Sequence, residues 1–151
     1  MKDNKKLLAY CGLYCGDCAG YTGEIVDAAI NLSKKLGKYK FEKTARNVFP
    51  KKLKEYEKFH NMLQFITELK CEKICREKKD NKSSCKVRKC CRSKGFFACY
   101  ECNLYEKCEI LRAKIKKDLY GDSYLKNFQG IKEMGLDEWI KNGKRYWFAD
   151  D

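Results

Sequence analysis

One proline, one histidine and no long apolar run are found in the 151 residues of this chain. A membrane-spanning helix needs about 20 consecutive, mostly apolar residues, and no stretch approaches that, so a helical membrane protein is excluded. With His60 as the only histidine, an HExxH metal motif is impossible and no Ser-His-Asp set presents itself. A phosphate loop and a dinucleotide fingerprint are absent too. Strong hydrophobes are also scarce: Leu, Ile, Val and Phe make up 32 of 151 residues, about 21%. That is close to the roughly 20% below which highly charged chains tend toward disorder. Such a core is thin and calls for extra stabilisation.

Cysteine is abundant instead. There are 11, at Cys11, Cys15 and Cys18, then Cys71 and Cys75, then Cys85, Cys90 and Cys91, and finally Cys99, Cys102 and Cys108. Lys2, Lys5 and Lys6 are followed only by Leu7, Leu8 and Ala9 before Tyr10, which is no secretory h-region. The expected location is therefore the cytoplasm, where thiols stay reduced and clustered cysteines point to metal before disulfides or packing. An odd count would leave one thiol unpaired in any disulfide scheme.

Two cysteines separated by two residues can grip one ion, because the turn between them directs both sulfurs inward. Cys15 with Cys18 and Cys99 with Cys102 have that spacing, and Gly16 and Asn103 suit the tight turns it needs. Cys71 with Cys75 and Cys85 with Cys90 are looser pairs. Cys91, directly after Cys90, points differently and is the candidate non-ligand. The expected cofactor is zinc, one or two ions, with an Fe–S cluster as the alternative. The N-terminal triad is expected to borrow a fourth ligand from the later cysteines, since three leave a tetrahedral ion one short. Its spacing also occurs in radical-SAM enzymes, but Asp17 stands where an aromatic residue is usual and no barrel pattern follows.

The segment CGLYCGDC from Cys11 to Cys18, followed by Ala19, Gly20 and Tyr21, resembles a small cysteine-rich prokaryotic family catalogued as domain of unknown function 3795. CKVRKC at Cys85 to Cys90, Lys94 with Gly95, the pair Cys99 and Cys102, and IKEMGLDEWI from Ile131 to Ile140 extend the likeness. The resemblance implies metal binding but no established reaction. It implies motif positions for Cys11, Cys15, Cys18, Cys71, Cys75, Cys85, Cys90, Cys99, Cys102 and Cys108, with Cys91 where a small residue is more usual. The spacing of Cys71 and Cys75 is one residue wider than that pattern.

A formal charge of +13 raises the possibility of a nucleic-acid partner. Residues 70–94 carry 11 Lys or Arg against Glu72, Glu77 and Asp80. Lys78, Lys79, Lys82, Lys86, Arg88, Lys89 and Arg92 are the candidate phosphate contacts, and Phe96, Phe97 or Tyr100 could stack on bases. The competing reading is charge compensation, because two four-thiolate zinc sites would lower the net charge to about +9. No recognised nucleic-acid motif accompanies the charge. Tyr10, Tyr14, Tyr21, Trp139 and Trp147 are expected to shield the metal and build the core rather than line a pocket.

Periodicity predicts a mainly α, small cysteine-rich helical domain with metal-knuckle loops, one domain over 1–151. Its helical part runs over about 22–69, with one helix from Glu24 that Gly37 stops and another from Lys51 to Leu69 after Pro50. A cysteine-rich knuckle region spans about 71–108, and C-terminal helices about 109–142, broken at Gly130, Gly135 and Gly143. His60 reads as an ordinary helical histidine. The expected function is a structural-zinc interaction module, with a nucleic-acid-binding zinc protein and an Fe–S redox or sensor protein as alternatives. No catalytic residues stand out.

Overall fold

The computed structural model describes residues 4–81 and 85–147. Lys82, one of the candidate phosphate contacts, lies outside the described residues. The described residues form a mainly α-helical structure with no strand, only an isolated bridge between Leu8 and Tyr14. No helix among them is long and apolar enough to cross a membrane. The chain divides into two compact units, Cys18–Glu72 and Met1–Asp17 with Lys73–Asp151.

The helical unit, Cys18–Glu72, contains α1 (Ala19–Thr22), α2 (Glu24–Lys38), α3 (Phe41–Asn47) and α4 (Tyr56–Thr67). Gly23, at φ 82°, ends α1 and starts α2, a left-handed position that glycine occupies without strain. Glu24 and Asp27 open α2 and Lys35 and Lys38 close it, each sign at the helix end whose dipole favours it. The expected stop at Gly37 is not used, and the helix continues to Lys38. There Lys40 turns the chain at φ 49°, the only non-glycine residue with positive φ among those described. Helix α4 starts five residues later than the predicted Lys51. Lys51, Lys52 and Lys54 would put positive charge on the positive end of the dipole, whereas Glu57 sits in the first turn actually formed. The apolar stripes of α2 and α4 pack together around Val26, Ala29 and Leu63, with Ala45 of α3.

The cysteine-rich unit holds α5 (Lys86–Ser93), α6 (Glu109–Lys117), α7 (Ser123–Met134) and α8 (Leu136–Asn142), with short 3-10 turns at Asn4–Leu7, Cys15–Asp17, Cys99–Glu101 and Tyr105–Lys107. Helix α5 lies where loops were expected. Val87 and Cys91, four residues apart, give it a buried face too short to register as periodicity. The aromatic core comprises Tyr124, Phe128 and Trp139, all fully buried with Leu8 and Leu111. Tyr14 meets Trp139 edge-on at 5.8 Å, and Tyr105 meets Phe128 at 5.4 Å. Gly130 lies inside α7, where a Cβ would come within 3.0 Å of the Trp139 indole. Fully buried Asn127 ties the unit together. Its amide donates to the carbonyls of Gly12 (3.0 Å) and Tyr146 (2.9 Å), and its oxygen accepts from the Tyr146 amide (2.8 Å).

Candidate functional site

Helix α5 and the turn after it build the site. Gly95 takes φ 70° and reverses the chain, while the Phe96 amide closes on the Cys91 carbonyl at 2.9 Å. Buried Ala98 follows, and the Cys99 amide donates to the Tyr10 carbonyl at 3.0 Å. This path carries Cys99 back onto α5, where its Sγ lies 3.5 Å from Cys91 Sγ. The pair is 1% and 8% exposed. An apolar cavity of about 240 Å³ reaches both, and Cys90, Cys102 and Cys108 also line it.

The two thiols differ electrically. The hydrogen bond from Cys99 lowers the Cys91 thiol below its ordinary pKa, and the positive charges of Arg76 and Lys94 assist, against burial and Glu101. The same hydrogen bond and burial raise Cys99. The two sulfurs share a hydrogen bond and titrate as a coupled pair, with ionisation favoured on Cys91, the side nearer the positive charges of Arg76 and Lys94.

Arg76 is held in place from both sides. Its guanidinium lies 3.8 Å from the Phe97 ring centroid and 4.5 Å from that of Tyr10, and it donates to the carbonyls of Leu8 (2.9 Å) and Phe97 (2.7 Å). Arg88 and Arg92, one turn apart on α5, clamp Asp80 at 2.8 and 2.7 Å. Hydrogen bonds from these arginines hold the Asp80 carboxyl below the usual range. Arg92 also donates to the Arg76 carbonyl at 2.7 Å and to the Tyr10 hydroxyl at 3.3 Å.

Among the described residues no group of three His, Cys, Asp or Glu side chains is placed to hold a metal ion. This overturns the expected zinc and the Fe–S alternative, and with them the structural-zinc module, the zinc nucleic-acid protein and the Fe–S sensor. Four ligands must converge at about 2.3 Å on a thiolate-bound zinc ion. Here Cys90, Cys99, Cys102 and Cys108 surround a cavity instead. Burial pushes the Cys11 thiol up to about 12, which keeps it neutral. Of the N-terminal triad, Cys18 does approach a later cysteine: Gly20 accepts from the Cys71 amide at 2.7 Å, and a Cβ on it would meet Cys18 Sγ at 3.6 Å. Among the described residues no third donor joins them. Cys15 starts a 3-10 turn, Cys75 is half-buried, and Cys85 immediately precedes α5.

The basic candidates divide as well. Arg88 is buried on Asp80 and Arg92 is paired with it, so both neutralise a carboxylate of this chain. Lys78, Lys79 and Lys86 are exposed and Lys89 is half-buried. Phe97 is covered by Arg76, and Tyr100 packs against Phe128 at 6.2 Å. Sequence reasoning set Cys91 aside. The adjacent cysteines 90 and 91 were the available signal, because on a helix they must face different ways.

Fold and site define a small, mainly helical protein with a buried, electrostatically biased dithiol. The chain belongs to the family described as protein of unknown function (DUF3795), whose model matches residues 7–113. The match includes every cysteine and stops short of Ile131–Ile140. No curated protein and no solved structure shows significant similarity to it.

Proposed function

We propose that the protein is a thiol–disulfide redox protein whose Cys91–Cys99 pair cycles between dithiol and disulfide. The observation that carries this reading is the 3.5 Å approach of two sulfurs with opposite pKa shifts. The Cys91 thiolate attacks one sulfur of a small-molecule disulfide, such as oxidised glutathione. The S–S bond breaks, one thiol leaves with a proton from solvent, and a mixed disulfide remains on Cys91. Cys99 then gives up its proton and attacks Cys91 Sγ, releasing the second thiol. The protein loses two electrons and the small disulfide gains them. Closing an eight-residue separation adds about 2.5 kcal/mol by loop entropy.

Arg76 favours the attacking thiolate, and the cavity that reaches Cys91 leaves room for the sulfur end of the disulfide while its charged parts stay in solvent. A reducing compartment such as the cytoplasm suits the resting dithiol. Peptide mapping by mass spectrometry after equilibration in glutathione buffers is the test. A Cys91–Cys99 disulfide is expected in the native protein, and Cys99→Ser should trap glutathione on Cys91. If neither adduct forms while other cysteines react, the proposal fails.

The exposed Lys78, Lys79 and Lys86 support a second reading, contact with nucleic-acid phosphates independent of metal. It is narrower than the sequence suggests, since Arg88 and Arg92 are engaged by Asp80. Salt-sensitive mobility shifts of RNA or DNA would support it, and no shift at low salt would eliminate it.

A further inference from the structure

The helical unit contains a larger cavity, about 840 Å³, between the end of α2, helix α3 and the start of α4. That volume lies within the roughly 300–1,000 Å³ typical of small-molecule sites. Its lining combines two chemistries. Lys40, Lys43 and Lys54 face it without an ion-pair partner among the described residues. A fourth cation, Arg46, is bound to Glu42 at 2.8 Å, and Glu57 is the only other carboxylate of the lining. Positive charge is therefore in excess.

The other chemistry is aromatic. Phe41 and Tyr56 meet at 5.8 Å with their planes tilted by 49°, and His60 stacks on Tyr56, 24° from parallel at 6.0 Å, so three neighbouring rings border the cavity. His60 Nδ1 is buried and has no hydrogen-bond partner. That nitrogen is closed to solvent, so it is the rest of the His60 ring that borders the cavity. Lys40 is also the residue forced to φ 49°, and backbone strain of this kind collects at ligand sites.

From these features we infer that this cavity binds a nucleoside phosphate. The base lies against Phe41 and Tyr56, and the phosphates meet Lys40, Lys43 and Lys54. Rings account for the base and free ammonium groups for the anion, which neither a plain apolar ligand nor an inorganic anion would use together.

Calorimetric titration of the reduced, full-length protein with ADP tests the inference, with adenosine and pyrophosphate as separate probes. Saturable 1:1 binding of ADP is expected, tighter than either probe alone. Lys43→Glu with Lys54→Glu should weaken it at least tenfold, and both positions are exposed, so folding is unaffected. Phe41→Leu removes an aromatic ring from the lining and should weaken ADP several-fold while leaving pyrophosphate unchanged. No ADP binding at millimolar concentration, or binding insensitive to the lysine reversals, overturns the assignment. Pyrophosphate binding as tightly as ADP also overturns it, since the aromatic rings would then contribute nothing.

Discussion

In the cysteine-rich unit Trp139, Tyr124 and Phe128 are fully buried, whereas in the helical unit Phe59, Met62 and Phe65 are 45–66% exposed. Both units draw on the same meagre stock of hydrophobes. The cysteine-rich unit concentrates its aromatics at one centre and fastens the loops around them with Asn127 and Arg76. The helical unit buries Val26, Ala29, Ala45 and Leu63, mostly small side chains, and leaves a large cavity between its helices. A short, highly charged chain can therefore support one dense core if polar side chains hold the irregular backbone, while a helix pair needs only a stripe.

Substitutions placed in each unit test this contrast. The largest effect is expected for Phe128→Ala, about 3–5 kcal/mol by urea unfolding, because a fully buried ring leaves a cavity. Met62→Ala, 66% exposed on α4, should stay within about 0.5 kcal/mol. Equal losses at the two positions would erase the distinction. Asn127→Ala should cost about 2–3 kcal/mol, since it strands the buried carbonyl of Gly12 and the half-buried backbone groups of Tyr146. A near-neutral result would show that the aromatic core holds the loops unaided.

Two titrations sharpen the picture further. Cys11 is neutral up to about 12 in the folded protein but ionises near 9 once unfolded. The stability tied to its burial is fully present below about pH 9 and is lost as pH rises toward about 12. Cys11→Ala should flatten unfolding free energy against pH over that range. The smallest effect is expected at Asp80, whose lowered pKa contributes stability above the ordinary carboxylate value that is lost as pH falls through the lowered one. Asp80→Asn should reduce stability modestly at neutral pH and weaken its acid dependence, read by thermal unfolding from pH 7 to about 2.

Much of the helical unit was legible. The stripe from Ile25 to Leu36 and the spacing Tyr56, Phe59, Leu63 and Ile66 identify α2 and α4, since both are long enough for periodicity to accumulate. The C-terminal helices were legible for the same reason, with Gly135 separating α7 from α8. Helices α3 and α5, of seven and eight residues, are too short to announce themselves. Cysteine spacing misled most. The C-x2-C pairs have the local turns expected of ligands, but spacing along a chain does not specify where distant thiols converge.

By itself the sequence determined the family, the helical class, the long helices and an unusual wealth of thiols, because these depend on composition and on neighbours within a few residues. Only the tertiary structure decided that Cys91 meets Cys99, that Arg88 and Arg92 serve Asp80, and that His60 borders a cavity. Each of those contacts depends on chain reversals and packing that bring residues from separate segments together, information that no local pattern carries.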